Sequence, residues 1–294
     1  MIPSMKGTEA INKNSKNFDK LPLNKMAEIM CEENLTVIKA VKKAQKEIIK
    51  AAELVEKTYL KGGKIIFMGA GTSGRLGILE AAECPPTFNT PKNLFTAIIA
   101  GGKKAVFNSV EGAEDNIKQS AKDFLKIAKK KDLLIGIASS GSTPYVLGAL
   151  ACAKKNGNKT VFITSNKPTK KIADVTIYLS TGAEIISGST RLKAGTAQKT
   201  VLNMLTTMAM ARVGKIYKNY MVDLQAKNEK LKKRAMHLIA LSANISLKEA
   251  RKYALKTNFN IKEAVLMAKL KLKQKDAKIL LKKHKGFLRS ALNE

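Results

Sequence analysis

At 294 residues and 32.0 kDa, with 45% apolar residues, the chain is long enough to bury a sizeable core as one large α/β domain or two smaller ones. Its net charge of +31 raises a nucleic-acid or membrane-surface reading, yet only six of its 54 basic residues are arginine, tryptophan is absent and aromatics make up 5%. Arg forks and stacked aromatics are what base recognition uses, so the lysine excess reads as solvated surface and no nucleic-acid partner is expected.

The remaining composition narrows the chemistry. Cys31, Cys84 and Cys152 are odd in number, far apart and in no CxxC pair, which excludes a disulfide framework and a structural zinc. His237 and His284 are the only histidines, so a HExxH zinc site or a histidine-based triad is not expected, and no bound metal is expected. The polar start, 1–20, lacks the apolar stretch of a signal peptide, and no apolar run approaches the ~20 residues of a membrane span. A cytoplasmic chain with no membrane partner is the expectation.

In chain order, a polar lead-in gives way to two helix-like stretches, Asn24 to Glu32 and Leu35 to Leu60. From Lys64 the period shortens. Runs rich in β-branched residues at Lys64–Met68, Phe95–Ala100, Leu133–Ala138, Thr160–Thr164 and Val175–Leu179 alternate with helical patterns at Gly74–Ala82, Ala113–Lys129 and Pro144–Lys155. This alternation predicts an α/β fold with a doubly wound, mainly parallel five-stranded sheet, whose ligand site lies beyond the carboxyl ends of the strands. A largely apolar helix follows from about Lys193 to Val213, to be buried by its own domain or by a second subunit. The basic remainder reads as a small helical C-terminal domain, with a capped start at Ile245–Ala250 and a break at Asn258–Lys262. The expected organisation is a helical lead-in over 1–60, a sheet domain over 61–218 and the helical domain over 219–294.

Three hydroxyl-rich loops carry the chemistry. Gly69-Ala70-Gly71-Thr72-Ser73-Gly74 fits GxGxxG, but the second strand runs into Gly101-Gly102-Lys103-Lys104 instead of ending in the acidic residue that a dinucleotide's ribose needs. Thr72 and Ser73 at a helix start suit a single phosphate or a sugar's hydroxyls, the alternative being a tight turn with a capping serine. Ser139-Ser140-Gly141-Ser142-Thr143-Pro144 is a second such turn, with Pro at the first helical position. Two cradles on strand ends point to a phosphorylated small molecule.

The third loop, Ser187-Gly188-Ser189-Thr190-Arg191-Leu192-Lys193, puts two cations at the wrong end of a helix dipole. Either a bound anion or a nearby carboxylate would account for Arg191 and Lys193. Two carboxylates stand near these loops. Glu83 precedes Cys84-Pro85-Pro86-Thr87, where the prolines fix the chain as it leaves the helix, and a charge at a helix C-terminus suits a general acid. Glu114, with its neighbour Asp115, opens the helix after the second strand, where acids are common for dipole reasons alone.

The blocks GAGTSGRLGILEAAECPPTF, VEGAEDN, ASSGSTPYVLGAL, SGSTRLKAGTAQKTVLNML and GKIYKNYMVDLQAKNEKL, in this order, resemble those of the N-acetylmuramic acid 6-phosphate etherases. These are sugar-isomerase (SIS) domain enzymes of bacterial cell-wall sugar recycling, related to the glucokinase regulatory protein, and the lead-in TEAINKNSKNFDKL resembles their start. The resemblance implies cleavage of the C3 lactyl ether of the sugar phosphate, with water, to N-acetylglucosamine 6-phosphate and D-lactate, by elimination and then hydration. It further implies no cofactor and a homodimer.

By the same resemblance Glu83 matches the proton donor and Glu114 the second catalytic position, taken as the C2 base with Asp115 as the alternative. The phosphate is expected on Ser140, Ser142 and Thr143 with the Ser139 N–H, assisted by Thr72 and Ser73 on the sugar side. Ser189 and Thr190 complete the binding set, and charge places Arg191 or Lys193 by the lactate carboxylate. Ser142 stands where the family usually carries arginine. Two other classes share these loops: a non-catalytic sugar-phosphate sensor and a phosphosugar isomerase.

Overall fold

The computed structural model describes residues 7–293; the first six residues of the polar lead-in and residue 294 lie outside the described residues. The chain separates into two compact units, one built from the residues up to Ala82 and from Asn93–Thr206, the other from Glu83–Lys92 and from Thr207 onward.

The first unit is the α/β body. After short 3-10 turns at Gly7–Glu9, Lys13–Ser15 and Phe18–Lys20 come helices α1 (Leu23–Lys43) and α2 (Gln45–Leu60). The break between them falls at Ala44, ten residues later than the sequence indicated, because nothing at Glu33–Asn34 stops a helix and Glu33 is buried within it. Strand β1 (Ile65–Gly69) leads into α3 (Gly71–Phe88), β2 (Phe95–Ile99) into the short α4 (Lys104–Phe107), and α5 (Ile117–Ile127) into β3 (Leu133–Ile137). Helix α6 (Pro144–Lys155) precedes β4 (Lys159–Thr164) and β5 (Val175–Tyr178), and α7 runs from Lys193 to Arg212.

All five strands are parallel, in the order β2-β1-β3-β4-β5. The near-continuous apolar runs of β1, β3 and β4 are buried on both faces, as a sheet covered by helices requires. Burial of Ile66, Leu134 and Phe162 against Tyr145, Val146, Ala149 and Leu150 of α6 forms one core layer. Register brings Gly69, Ile99 and Ile137 to the same level at the carboxyl edge. The strand order reverses between β1 and β3, so a crevice opens there between the loops that follow them.

Two further expectations change. Helix α3 does not stop at its prolines: Pro85 and Pro86 lie inside it, so Glu83 stands five residues before its end and not at a terminus. Helix α5 begins later than expected, because the Asn116 side chain caps it by accepting from the Gln119 N–H. Glu114 and Asp115 therefore sit in a separate 3-10 turn, Ala113–Asp115, entered through Gly112 in the left-handed region.

The second unit carries α8 (Glu229–Ala243), α9 (Leu247–Lys256), α10 (Ile261–Leu270), α11 (Gln274–Lys283) and α12 (Leu288–Ala291) around Ile239, Ala250, Ile261, Val265 and Leu266. The start at Ser246 is a full capping box with Glu249, and Asn260 caps α10. Lys262 is buried here, its ammonium donating to the carbonyls of Gly214 and Gly286 and to Asp223.

Candidate active site

Backbone geometry at the end of β1 brings α3 unusually close to its own strand. A Cβ on Gly74 would lie 2.5 Å from Ile99 Cγ1 and 2.8 Å from the Gly69 carbonyl oxygen, and one on Gly69 would lie 2.7 Å from the Gly74 nitrogen. Both positions need glycine for this contact, which sets Thr72 and Ser73 at the edge of the crevice.

A cavity of about 390 Å³ occupies the crevice. Thr72 and Ser73 line it from the first cradle, Ser139, Ser140, Ser142 and Thr143 from the second, Thr190 from the third loop, and Glu114 and Asp115 from the 3-10 turn. Sequence-expected residues from four separated segments thus meet in one place. A smaller cavity of about 130 Å³ shares Ala70, Gly71 and Glu114 with it. Arg75 stands there, its guanidinium donating to the carbonyls of Val106 (2.9 Å) and Asn108 (3.1 Å), which holds the chain beyond β2.

The hydroxyls are already ordered. The Ser142 N–H donates to Ser140 Oγ, and the Ser140 and Thr143 hydroxyls stand 3.2 Å apart. Ser73 donates to Gln198 Oε1 at 2.9 Å, and Gln198 Nε2 donates to Ser139 Oγ at 2.8 Å. Ser140 and Ser142 are exposed to the cavity side, and with them stand the amino-terminal end of α6 and its dipole.

Four sequence-expected residues fall outside this lining. Lys193 is a correction: it is buried, its ammonium pairs with Glu33, and its own N–H and that of Ala194 donate to the two oxygens of the buried Glu184 at 2.9 Å each. The anion that the dipole argument demanded beside α7 is supplied by the protein, Glu184 at the helix start and Glu33 at the lysine. Burial pushes the Glu33 carboxyl up, but hydrogen bonds from Lys193, Asn14 and Asn12 outweigh it and hold the group below its ordinary value. Arg191 is exposed and Ser189 half-buried, and neither lines the cavity. Glu83 is exposed on α3 and lines neither cavity; its carbonyl accepts from the Thr87 hydroxyl. The buried carboxylate of α3 is instead Glu80, which accepts from Thr206, Asn203 and Lys199 of α7.

Two features of the site escaped the sequence reading, one in the lining and one behind it. Glu9, in the lead-in, reaches the cavity because Thr8 pairs with Asn166 through two hydrogen bonds and the Thr8 carbonyl accepts from the Gly188 N–H. Gly188 makes room for it: a Cβ there would lie 2.9 Å from Glu9 Oε2. Gln198 carried no local signal, sitting in an apolar helix 59 residues from one serine and 125 from the other. Among the described residues no group of three or more His, Cys, Asp or Glu side chains is placed to hold a metal ion, and no helix is long and apolar enough to cross a membrane.

Comparison with known proteins matches residues 47–154 to the family described as the glucokinase regulatory protein N-terminal SIS domain and residues 110–208 to the SIS domain. The N-acetylmuramic acid 6-phosphate etherase of Clostridium botulinum (strain Loch Maree / Type A3) is 44% identical over 290 residues, covering 98% of this chain and 96% of that protein. The protein of the same name from Geobacillus sp. (strain WCH70) is 46% identical over 288 residues, covering 97% and 98%. Among solved structures, a phosphoheptose isomerase from Francisella tularensis matches with a TM-score of 0.51 at 18% identity, over 64% of this chain and 98% of that one, which speaks for the fold alone.

Proposed function

The chain belongs to the N-acetylmuramic acid 6-phosphate etherase family, and from that premise we propose how its cavity performs the reaction. The enzyme cleaves the lactyl ether at C3 of N-acetylmuramic acid 6-phosphate, giving N-acetylglucosamine 6-phosphate and D-lactate. A direct attack of water on an alkyl ether is slow. The ring-opened sugar offers a better route, because its C1 aldehyde acidifies the C2 proton.

Glu114 takes that proton, the electron pair forms a C2–C3 double bond, and the C3–O bond breaks. Glu83, which does not line the cavity of its own chain, is assigned by the family resemblance to give its proton to the departing lactate oxygen. Water then adds across the double bond, hydroxyl to C3 and proton to C2. Asp115, next to Glu114 in the lining, is the alternative base. The phosphate rests on Ser139, Ser140, Ser142 and Thr143 at the start of α6, and Thr72 and Ser73 meet the sugar. Fixing the phosphate and the sugar chain holds C2 against the base, so orientation contributes much of the rate.

The observation that carries this reading is the meeting of two hydroxyl cradles with Glu114 in one cavity at the β1/β3 reversal. A sensor or an isomerase on the same fold is not favoured, since proteins named as etherases match nearly the whole length.

Exposed apolar side chains on α1, Leu23, Leu35 and Ile38 among them, support a homodimer. The odd number and wide spacing of Cys31, Cys84 and Cys152, with no CxxC pair among them, support a reducing, cytoplasmic setting. The test is release of D-lactate from the purified protein. Glu83→Gln and Glu114→Gln are each expected to lower kcat by at least 10³-fold while binding of N-acetylglucosamine 6-phosphate survives. Full turnover in either variant removes that residue from the reaction.

A further inference from the structure

Gln198 is fully buried on α7 and spans the two cradles with a single side-chain amide. An amide has one donating end and one accepting end, whereas a serine hydroxyl can do either. Held between two serines, it obliges them to differ. Ser73 spends its only proton on Gln198 Oε1, which leaves its lone pairs for the cavity. Ser139 receives the Nε2 proton, which leaves its own proton free. Both hydroxyls belong to cavity-lining residues, and both are nearly buried, so neither finds water easily as a substitute partner.

A doubly ionised phosphate monoester only accepts hydrogen bonds; a sugar hydroxyl can donate. We infer that Gln198 is a positioning residue that sets Ser139 as a donor to the phosphoryl group and Ser73 as an acceptor from the sugar. This rests on the etherase reading for the identity of the ligand. The donor is fixed before ligand arrives, so binding does not have to reorient it.

The test measures affinity for N-acetylglucosamine 6-phosphate and, separately, for inorganic phosphate as a competitor. Ser139→Ala is expected to weaken both by about tenfold, the size of one charge-assisted hydrogen bond. Ser73→Ala weakens the sugar phosphate but leaves inorganic phosphate within twofold. Gln198→Glu puts acceptors on both serines, turns the Ser139 proton inward and is expected to mimic Ser139→Ala, with no further loss in the double variant.

A carboxylic acid, like an amide, has one donor and one acceptor, so lowering the pH restores the affinity of Gln198→Glu relative to wild type measured at the same pH. The charged groups of the lining, Glu9, Glu114 and Asp115, and those of α7 beside Gln198, Lys193 paired with Glu33 and Lys199 with Glu80, are common to both proteins and cancel in that ratio. The inference is overturned if Ser73→Ala is the variant that loses inorganic phosphate, if the losses add, or if the Gln198→Glu ratio does not move with pH. The serine variants decide the question even where Gln198→Glu does not fold. Because each readout is binding, a protein that fails to release lactate refutes the reaction and leaves this assignment to be judged by its own measurements.

Discussion

Glu9 and Glu33 come from the same stretch of chain and serve different ends, which burial and partners decide. The Glu9 carboxylate stands exposed in the cavity over Gly188, where it can accept from the hydroxyls of a sugar. Glu9→Ala is expected to raise KM about tenfold with kcat within threefold, as loss of one hydrogen bond to a ligand predicts; steady-state kinetics read the split. Glu33 is closed in with the Lys193 ammonium and the Asn12 and Asn14 amides.

Since the folded Glu33 carboxyl titrates below its ordinary value, its contribution to stability is present at neutral pH. That contribution disappears as the pH falls from the ordinary carboxylate range through the depressed folded value. Glu33→Gln leaves a buried ammonium without its counter-charge and is expected to cost about 3 kcal/mol in denaturant unfolding at pH 7, with a flatter acid limb than wild type.

At the scale of elements, α3 and α7 do the positioning. Helix α3 can start against β1 only because Gly69 and Gly74 have no side chains, and α7 supplies Gln198 to the cradles and Lys199, Asn203 and Thr206 to Glu80. Gly74→Ala places a methyl group 2.5 Å from Ile99 Cγ1, so α3 must move off its strand. The expected loss is about 2 kcal/mol of stability, read by thermal unfolding, with a larger fall in kcat/KM than any surface alanine, because Thr72 and Ser73 move with the helix. A variant with unchanged stability and kinetics would show that the contact is slack. The third loop illustrates the limit of dipole reasoning: two cations at a helix start did signal an anion, but Glu184 and Glu33 are 9 and 160 residues from Lys193.

For the whole molecule, the proposed homodimer and the exposed Glu83 together make a sharp prediction. If each site takes Glu114 from one chain and Glu83 from its partner, mixing Glu83→Gln and Glu114→Gln proteins after dissociation restores about a quarter of wild-type lactate release, since half the dimers are mixed and each has one intact site. No recovery means that one chain supplies both groups. The +31 charge plays a lesser part here, because the described cavity lining contains hydroxyls, glycines and carboxylates and its phosphate cradle is neutral.

The sequence by itself determined the strands, their parallel direction, the hydroxyl-rich loops that follow them and the capped helices of the C-terminal unit. These follow from local rules: β-branched runs, hydroxyls after glycine, and Ser or Asn three residues before a helical partner. Even the fold boundary errors were local, as at Asn116, where a cap displaced the start of α5 and left Glu114 in its own turn. Only the tertiary structure decided that Lys193 is neutralised from within, that Glu9 belongs to the cavity, and that Gln198 joins Ser73 to Ser139. Those outcomes depend on which distant polar groups are desolvated together, and a buried charge or amide takes its partner from whatever the packed chain brings within about 3 Å.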